Sequence, residues 1–148
     1  MKIDLYVADV IELLASGKLV AMGLFPDRKI VLNVPHDAPD PSDEMPYGVN
    51  LTLCITISNL EPGEHEIGIQ IEDPNGRRVP VFQATRRRVM VGPGQSATNA
   101  LVPLSPLPAT ALGTFSVVCS VDDQEHRSTF DLLQHRLPPP SDADRPSQ

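Results

Sequence analysis

Between Leu51 and Ser58 the chain reads Leu-Thr-Leu-Cys-Ile-Thr-Ile-Ser, with a large aliphatic residue at every odd position and a small or polar one at every even position. Side chains on a strand alternate between its two faces, so this pattern is a strand with one buried and one lighter face. Ile67, Ile69 and Ile71 repeat it; Phe115, Val117, Cys119 and Val121 repeat it again, and Phe130 and Leu132 close the series after a turn at Asp122-Asp123. Asp73-Pro74-Asn75-Gly76 supplies a tight turn. Proline pre-sets the first turn dihedral and Asn-Gly tolerates positive φ, so a hairpin into Val79–Val81 follows. Sixteen prolines punctuate the chain, among them 26, 35, 46, 62, 74, 80, 93, 103, 106 and 108. They leave little room for long helices, because a proline inside a helix removes a hydrogen bond and clashes with the preceding turn.

Ile3, Leu5 and Val7 alternate as a further strand. Two readings stay open beyond them. Asp9 can cap a short helical turn over 9–16, with Glu12 completing a capping box and Gly17 ending it, or the chain can continue extended. Lys18 to Phe25 and Ile30 to Val34 read as strands. Residues 36–46, HDAPDPSDEMP, carry four acids, three prolines and no Lys or Arg, and read as a solvated, poorly ordered acidic loop. PPPSDADRPSQ, residues 138–148, reads as a low-complexity, disordered tail. Strands at this spacing with turn residues between them indicate an all-β, antiparallel β-sandwich over residues 1–137, with Greek-key connections.

A chain of 148 residues suits one domain with one core. Its net charge of −7 disfavours non-specific binding to nucleic acid or an anionic membrane. With four Phe, two Tyr and no Trp, little is available for a base-stacking platform. The start MKIDLYVADV lacks a cationic segment followed by a long apolar one, and no apolar run approaches the roughly 18 residues of a membrane helix. The expectation is a soluble, cytoplasmic protein.

The stretch YVADVIELLASGKLVAMGLFPD, residues 6–27, joins an early strand ending in Ala-Asp to a later Gly-Lys, four residues, Gly, hydrophobic, Phe. In this it resembles the N-terminus of a family of short bacterial proteins of unknown function, the matching positions being Ala8, Asp9, Gly17, Lys18, Gly23 and Phe25. A looser likeness runs through IEDPNG and GTFSVVCSVDD and covers most of residues 3–133. The resemblance implies an immunoglobulin-like sandwich and no activity.

Gly17-Lys18 is not a phosphate loop: no glycine precedes it at the required spacing, no Ser or Thr follows the lysine, and the run beyond it is β-like. Cys54 and Cys119 sit on opposite strand parities, so one is expected to point into the core and the other away, which argues against a bridge. The four histidines, at 36, 65, 126 and 135, show no metal-ligand spacing. Asp122, Asp123, Glu125 and His126 form the one local acid–histidine cluster, read as a solvated turn or, less favoured, as the divalent site of a metal-dependent enzyme.

Arginines supply the remaining signal: Arg77, Arg78, Arg86, Arg87 and Arg88 place five of the nine within twelve residues of an acidic chain. Three adjacent arginines can clamp a phosphate or a partner's carboxylates, line an exposed strand against aggregation, or pair with this chain's own acidic loop. The leading expectation is a non-catalytic protein-interaction or structural module with no cofactor. It would bind an unidentified protein partner through a sheet edge or the arginine surface, with room for a homodimer. A phage or mobile-element role would suit such a small sandwich. The alternative is a binder of a phosphorylated or nucleotide-like small ligand.

Overall fold

The alternating stretch at 51–58 lies within a strand twelve residues long, central to one of two packed sheets. The structure, a computed structural model, describes residues 1–80, 86–95 and 97–141. Its strands are β1 (Lys2–Leu13), β2 (Leu19–Leu24), β3 (Lys29–Val34), β4 (Tyr47–Ser58), β5 (Gly63–Glu72), β6 (Arg78–Val79), β7 (Arg86–Val91), β8 (Ala97–Ala109), β9 (Gly113–Val121) and β10 (Gln124–Arg136). The first sheet has the order β2-β1-β4-β8 and the second the order β3-β10-β9-β5-β6, with β7 also pairing β5. All pairings are antiparallel except β3 with β10, which run parallel at one edge. The chain crosses from sheet to sheet between β4 and β5 and returns for β8, which makes the fold an all-β sandwich. Among the described residues no helix is long and apolar enough to cross a membrane.

The inward positions are those the alternation marks. Leu53, Ile55 and Ile57 of β4 and Leu104 and Leu107 of β8 meet Ile71, Phe115, Val117, Phe130 and Leu132 of the facing sheet in one buried cluster. Phe115 and Phe130 are direct cross-strand partners. Their rings stack with centroids 5.2 Å apart and planes at 9°, the arrangement that makes aromatic pairs a unit of sheet stability. The expected turn at 73–76 forms as well: Asp73 accepts the backbone N–H groups of Asn75 and Arg77 through Oδ1, and Gly76 takes φ +80°. Val81, the expected end of that hairpin, lies outside the described residues, as does the expected tail from 142 onward.

Three expectations need correction or refinement. No helical turn forms over 9–16: β1 stays extended to Leu13 because Val10 to Leu13 pair in register with Met22 to Leu19. A two-turn helix nucleates poorly, whereas this pairing satisfies the same backbone groups and buries Ile11. Cys54 does not point to a light face. It is buried on the opposite face of the sheet in a small second cluster with Ala8 and Ile11, flanked by Leu101. Both cysteines are free. The acidic loop is irregular, as its prolines dictate, yet pinned: the Tyr47 hydroxyl donates to the Pro39 carbonyl at 2.6 Å, and Arg136 bonds the Ala38 carbonyl at 2.6 Å and Asp40 at 2.7 Å.

Candidate interaction surfaces

The five clustered arginines do not converge. Arg77 bonds Asp73 on its own turn and reaches Asp43 of the acidic loop with two guanidinium nitrogens, at 3.0 and 3.2 Å. That pairing holds the Asp43 carboxyl below its usual range. Arg86 and Arg88 project from one face of β7 and meet Glu66 and Glu64 of β5, at 3.0 and 3.4 Å. Arg87 falls on the other face by strand parity, opposite Ile67 in the ladder, and is exposed. Arg78 stands opposite Glu72, whose carboxylate is already held by Arg127 at 2.9 Å. Sequence reasoning found the arginines, their parity and the acidic loop as a source of partner acids, but it is Arg77 that meets that loop, while Glu66 and Glu64 of β5 answer Arg86 and Arg88.

Arg78 and Arg86 do border one groove of about 610 Å³ on the outer face of the second sheet. Gly68, Gln70 and Ser120 line it from β5 and β9, and Asp123 and Glu125 enter from the β9–β10 hairpin. The groove therefore carries both signs of charge. Along this edge Val79 stands opposite Ile71 and Arg86 opposite Gly68.

The acid–histidine cluster is divided in the same way. His126 pairs with Cys119 and Glu125 with Ser120, so strand alternation sends their side chains to opposite faces. Asp122 turns instead to His65. Its carboxylate accepts from His65 Nδ1 and from the Glu66 amide, while His65 Nε2 faces the Glu61 carbonyl at 2.7 Å. With acceptors at both ring nitrogens the imidazolium is favoured, and the His65 pKa is raised, first by Asp122 and then by the Glu61 carbonyl. Among the described residues no group of three or more His, Cys, Asp or Glu side chains is placed to hold a metal ion. The thiols are poorly suited to nucleophilic work, since burial pushes Cys119 up to about 11 and raises Cys54.

The feature that sequence reasoning missed is the hairpin of β1 and β2. Strand β1 pairs with β4 only as far as Ala8, and from Ala8 to Leu13 it pairs with β2. Past Ala8 these two strands form an arm that β4 no longer flanks. The resemblance residues build this arm. Asp9 lies opposite Gly23 between two paired rungs, and Gly23 has φ +68°. A Cβ at Gly23 would sit 2.7 Å from the Asp9 Cγ, so glycine is required both by the backbone conformation and by the space. Gly17, at φ +82°, completes the turn at the tip, where its amide donates to the Leu14 carbonyl at 2.9 Å. The Phe25 amide bonds the Val7 carbonyl at 2.8 Å and locks the base.

Every residue of β2, Leu-Val-Ala-Met-Gly-Leu, is exposed. Met22 is 55% exposed and Leu13, across the arm, 61%. Natural sheets guard their edges with charge, proline or cover. Here β8 carries Pro103, Pro106 and Pro108, β7 carries three arginines, and β3 begins with Lys29. Strand β2 carries neither charge nor proline.

No curated protein matches this sequence. A family model described as a family of unknown function, DUF6941, matches residues 4–130, which takes in the arm and eight of the strands in full, from β2 to β9, and more than half of β1 and β10 besides. The chain belongs to this DUF6941 family of unknown function.

Proposed function

We propose that this chain is a non-catalytic protein-interaction module that binds through the β1–β2 arm. The observation that carries the reading is the uncharged, proline-free and fully exposed strand β2 at a sheet edge. An edge strand offers a row of unpaired backbone donors and acceptors, and strand addition uses that row for affinity and the alternating side chains for specificity. The arginine surface takes second place as the contact region, because Arg77, Arg86 and Arg88 already answer acids of this chain. An immunoglobulin-like classification and a bacterial source belong to the same proposal and rest on the resemblance of the opening stretch.

Affinity capture from the native host tests this reading, using the wild-type chain beside Met22→Lys. A lysine on the free edge opposes pairing while leaving the core untouched. The expected result is a stoichiometric protein with the wild type and its loss with Met22→Lys. Retention by Met22→Lys with loss on replacing Arg86, Arg87 and Arg88 by alanine would move the contact to β7.

A second reading rests on the outer groove, where Arg78 and Arg86 border a space of about 610 Å³, within the range of small-molecule sites. It would admit a phosphorylated or nucleotide-like ligand that also presents a cationic group to Asp123 and Glu125. A panel of nucleotides in a thermal-shift assay tests it. Protection by a panel member, abolished in Arg78→Ala/Arg86→Ala, supports the groove; no protection removes it.

A further inference from the structure

We infer that the protein occupying the free edge of β2 is a second copy of the same chain, added antiparallel about a twofold axis at Met22, so that each Met22 faces that of its copy. This rests on the reading of the arm as the interaction surface and names its partner. Four observations lead to it.

An antiparallel edge is self-complementary: a strand without charge or side-chain handedness constraints can pair with its own copy, each residue i meeting j while j meets i. The pairing would extend two four-stranded sheets into one of eight strands and remove the unguarded edge from both copies. Charge favours the same place. The chain as a whole carries −7, so two copies repel over most of their surface. From Asp9 to Leu24 the charged residues are Asp9, Glu12 and Lys18 alone, so the arm carries −1 of that −7, and β2 itself carries none.

The available surface suits a dimer that dissociates on dilution. Val10, Leu13, Leu19, Val20, Met22 and Leu24 are 37–61% exposed. Together these residues offer on the order of 500 Å², below the roughly 800 Å² per partner of a standard interface. Finally, the arm needs cover. A two-stranded ribbon on its own is marginal in water, and within this chain only Ile11 of the outer arm is buried, against Ala8 and Cys54. Because that small cluster anchors the arm, it presents a fixed strand rather than a loose one.

The test uses the full chain. Light scattering and sedimentation velocity across a dilution series should give a dimer that dissociates on dilution, and Met22→Lys should weaken it by roughly tenfold or more. A circular dichroism spectrum and cooperative unfolding matching wild type show that Met22→Lys still folds. Single thiols provide a readout independent of that variant. Cys54 and Cys119 are buried, so under mild oxidation Met22→Cys should form a covalent dimer. Met90→Cys, still more exposed on the β7 edge, should not. A monomeric mass at every concentration overturns the inference, as does cross-linking through Met90→Cys but not Met22→Cys. A monomer whose photo-cross-linker at position 22 captures a different protein overturns the second copy and leaves the interaction reading standing. A monomer that captures nothing overturns both.

Discussion

Replacing Gly23 by alanine reaches the residue contact on which the arm is built. Two costs arise there. At φ +68° an L-residue pays for the left-handed conformation, about 1–2 kcal/mol. The added methyl also enters the space of Asp9, 2.7 Å from its Cγ and 3.0 Å from its Cβ. Asp9 is exposed and can rotate away, so this part costs about 0.5–1.5 kcal/mol, the strain of an off-rotamer side chain. The sum is about 1.5–3.5 kcal/mol for Gly23→Ala. Asp9→Ala alone, at an exposed position, should stay within about 0.5 kcal/mol of wild type. In the double variant the carboxylate is gone, while the conformational part and the close approach of the two Cβ atoms remain, so the two changes should couple by about 0.5–1.5 kcal/mol in a double-mutant cycle. Urea unfolding followed by circular dichroism measures all four chains, with midpoints and slopes fitted together. Because Ala8 and Ile11 tie the arm to Cys54, the loss should appear in the main transition. A Gly23→Ala chain as stable as wild type, or a cycle with no coupling, would refute the argument that Asp9 and Gly23 form one unit.

Other expectations follow from the core and from the His65–Asp122 contact. Phe130→Ala removes one of the two stacked rings at the centre of the sandwich and should cost about 3–5 kcal/mol in the same assay; a loss under 1 kcal/mol would contradict the packing. The folded pKa of His65 lies above 6.5, so its contribution to stability is fully present below that pH and is lost as pH rises through the folded value. Asp122 is lowered below 3.8, chiefly by the Glu66 amide and then by His65, so its contribution is present above 3.8 and lost as pH falls through the lower folded value. The stability gap between wild type and His65→Gln should therefore be widest between those limits and shrink as pH climbs past 6.5; a gap that grows with alkalinity would show the sign to be wrong. Neither thiol should react with a thiol reagent in the folded protein, and both should on unfolding, measured by absorbance; prompt reaction of one equivalent in the native state would place Cys54 or Cys119 at the surface.

Much of this fold can be read from strand parity alone. The odd positions of Leu51–Ile57, Ile67–Ile71 and Phe115–Val121 are the core, because a sandwich buries one face of each strand and leaves the mark in every second residue. Asp73-Pro74-Asn75-Gly76 turned as its dihedral preferences require. The arm was harder to read for a physical reason. Val10, Ile11, Leu13 and Leu14 are apolar on both faces of a ribbon, which erases the period of two and imitates helical spacing. What decided the matter was register with Leu19–Met22, a pairing made across the turn. Cys54 shows a different limit: alternation tells which face a residue takes, not whether Ile11 and Leu101 will cover that face. The arginines show the same limit in charge. Arg86 and Arg88 were separable from Arg87 by parity, but Glu64 and Glu66 become their partners only through the antiparallel register of β5 and β7.

The central claim is that the outer edge of β2 is where a protein strand is added. Amide hydrogen exchange over Leu19–Leu24, compared at high and low concentration and in the presence of any captured partner, measures this directly. Amides pointing away from β1 should exchange fast in the dilute chain and become protected on association, while those of β8 at the opposite edge stay unchanged. Rapid exchange along β2 under every condition, with new protection appearing on β7 or around the outer groove instead, would contradict the account.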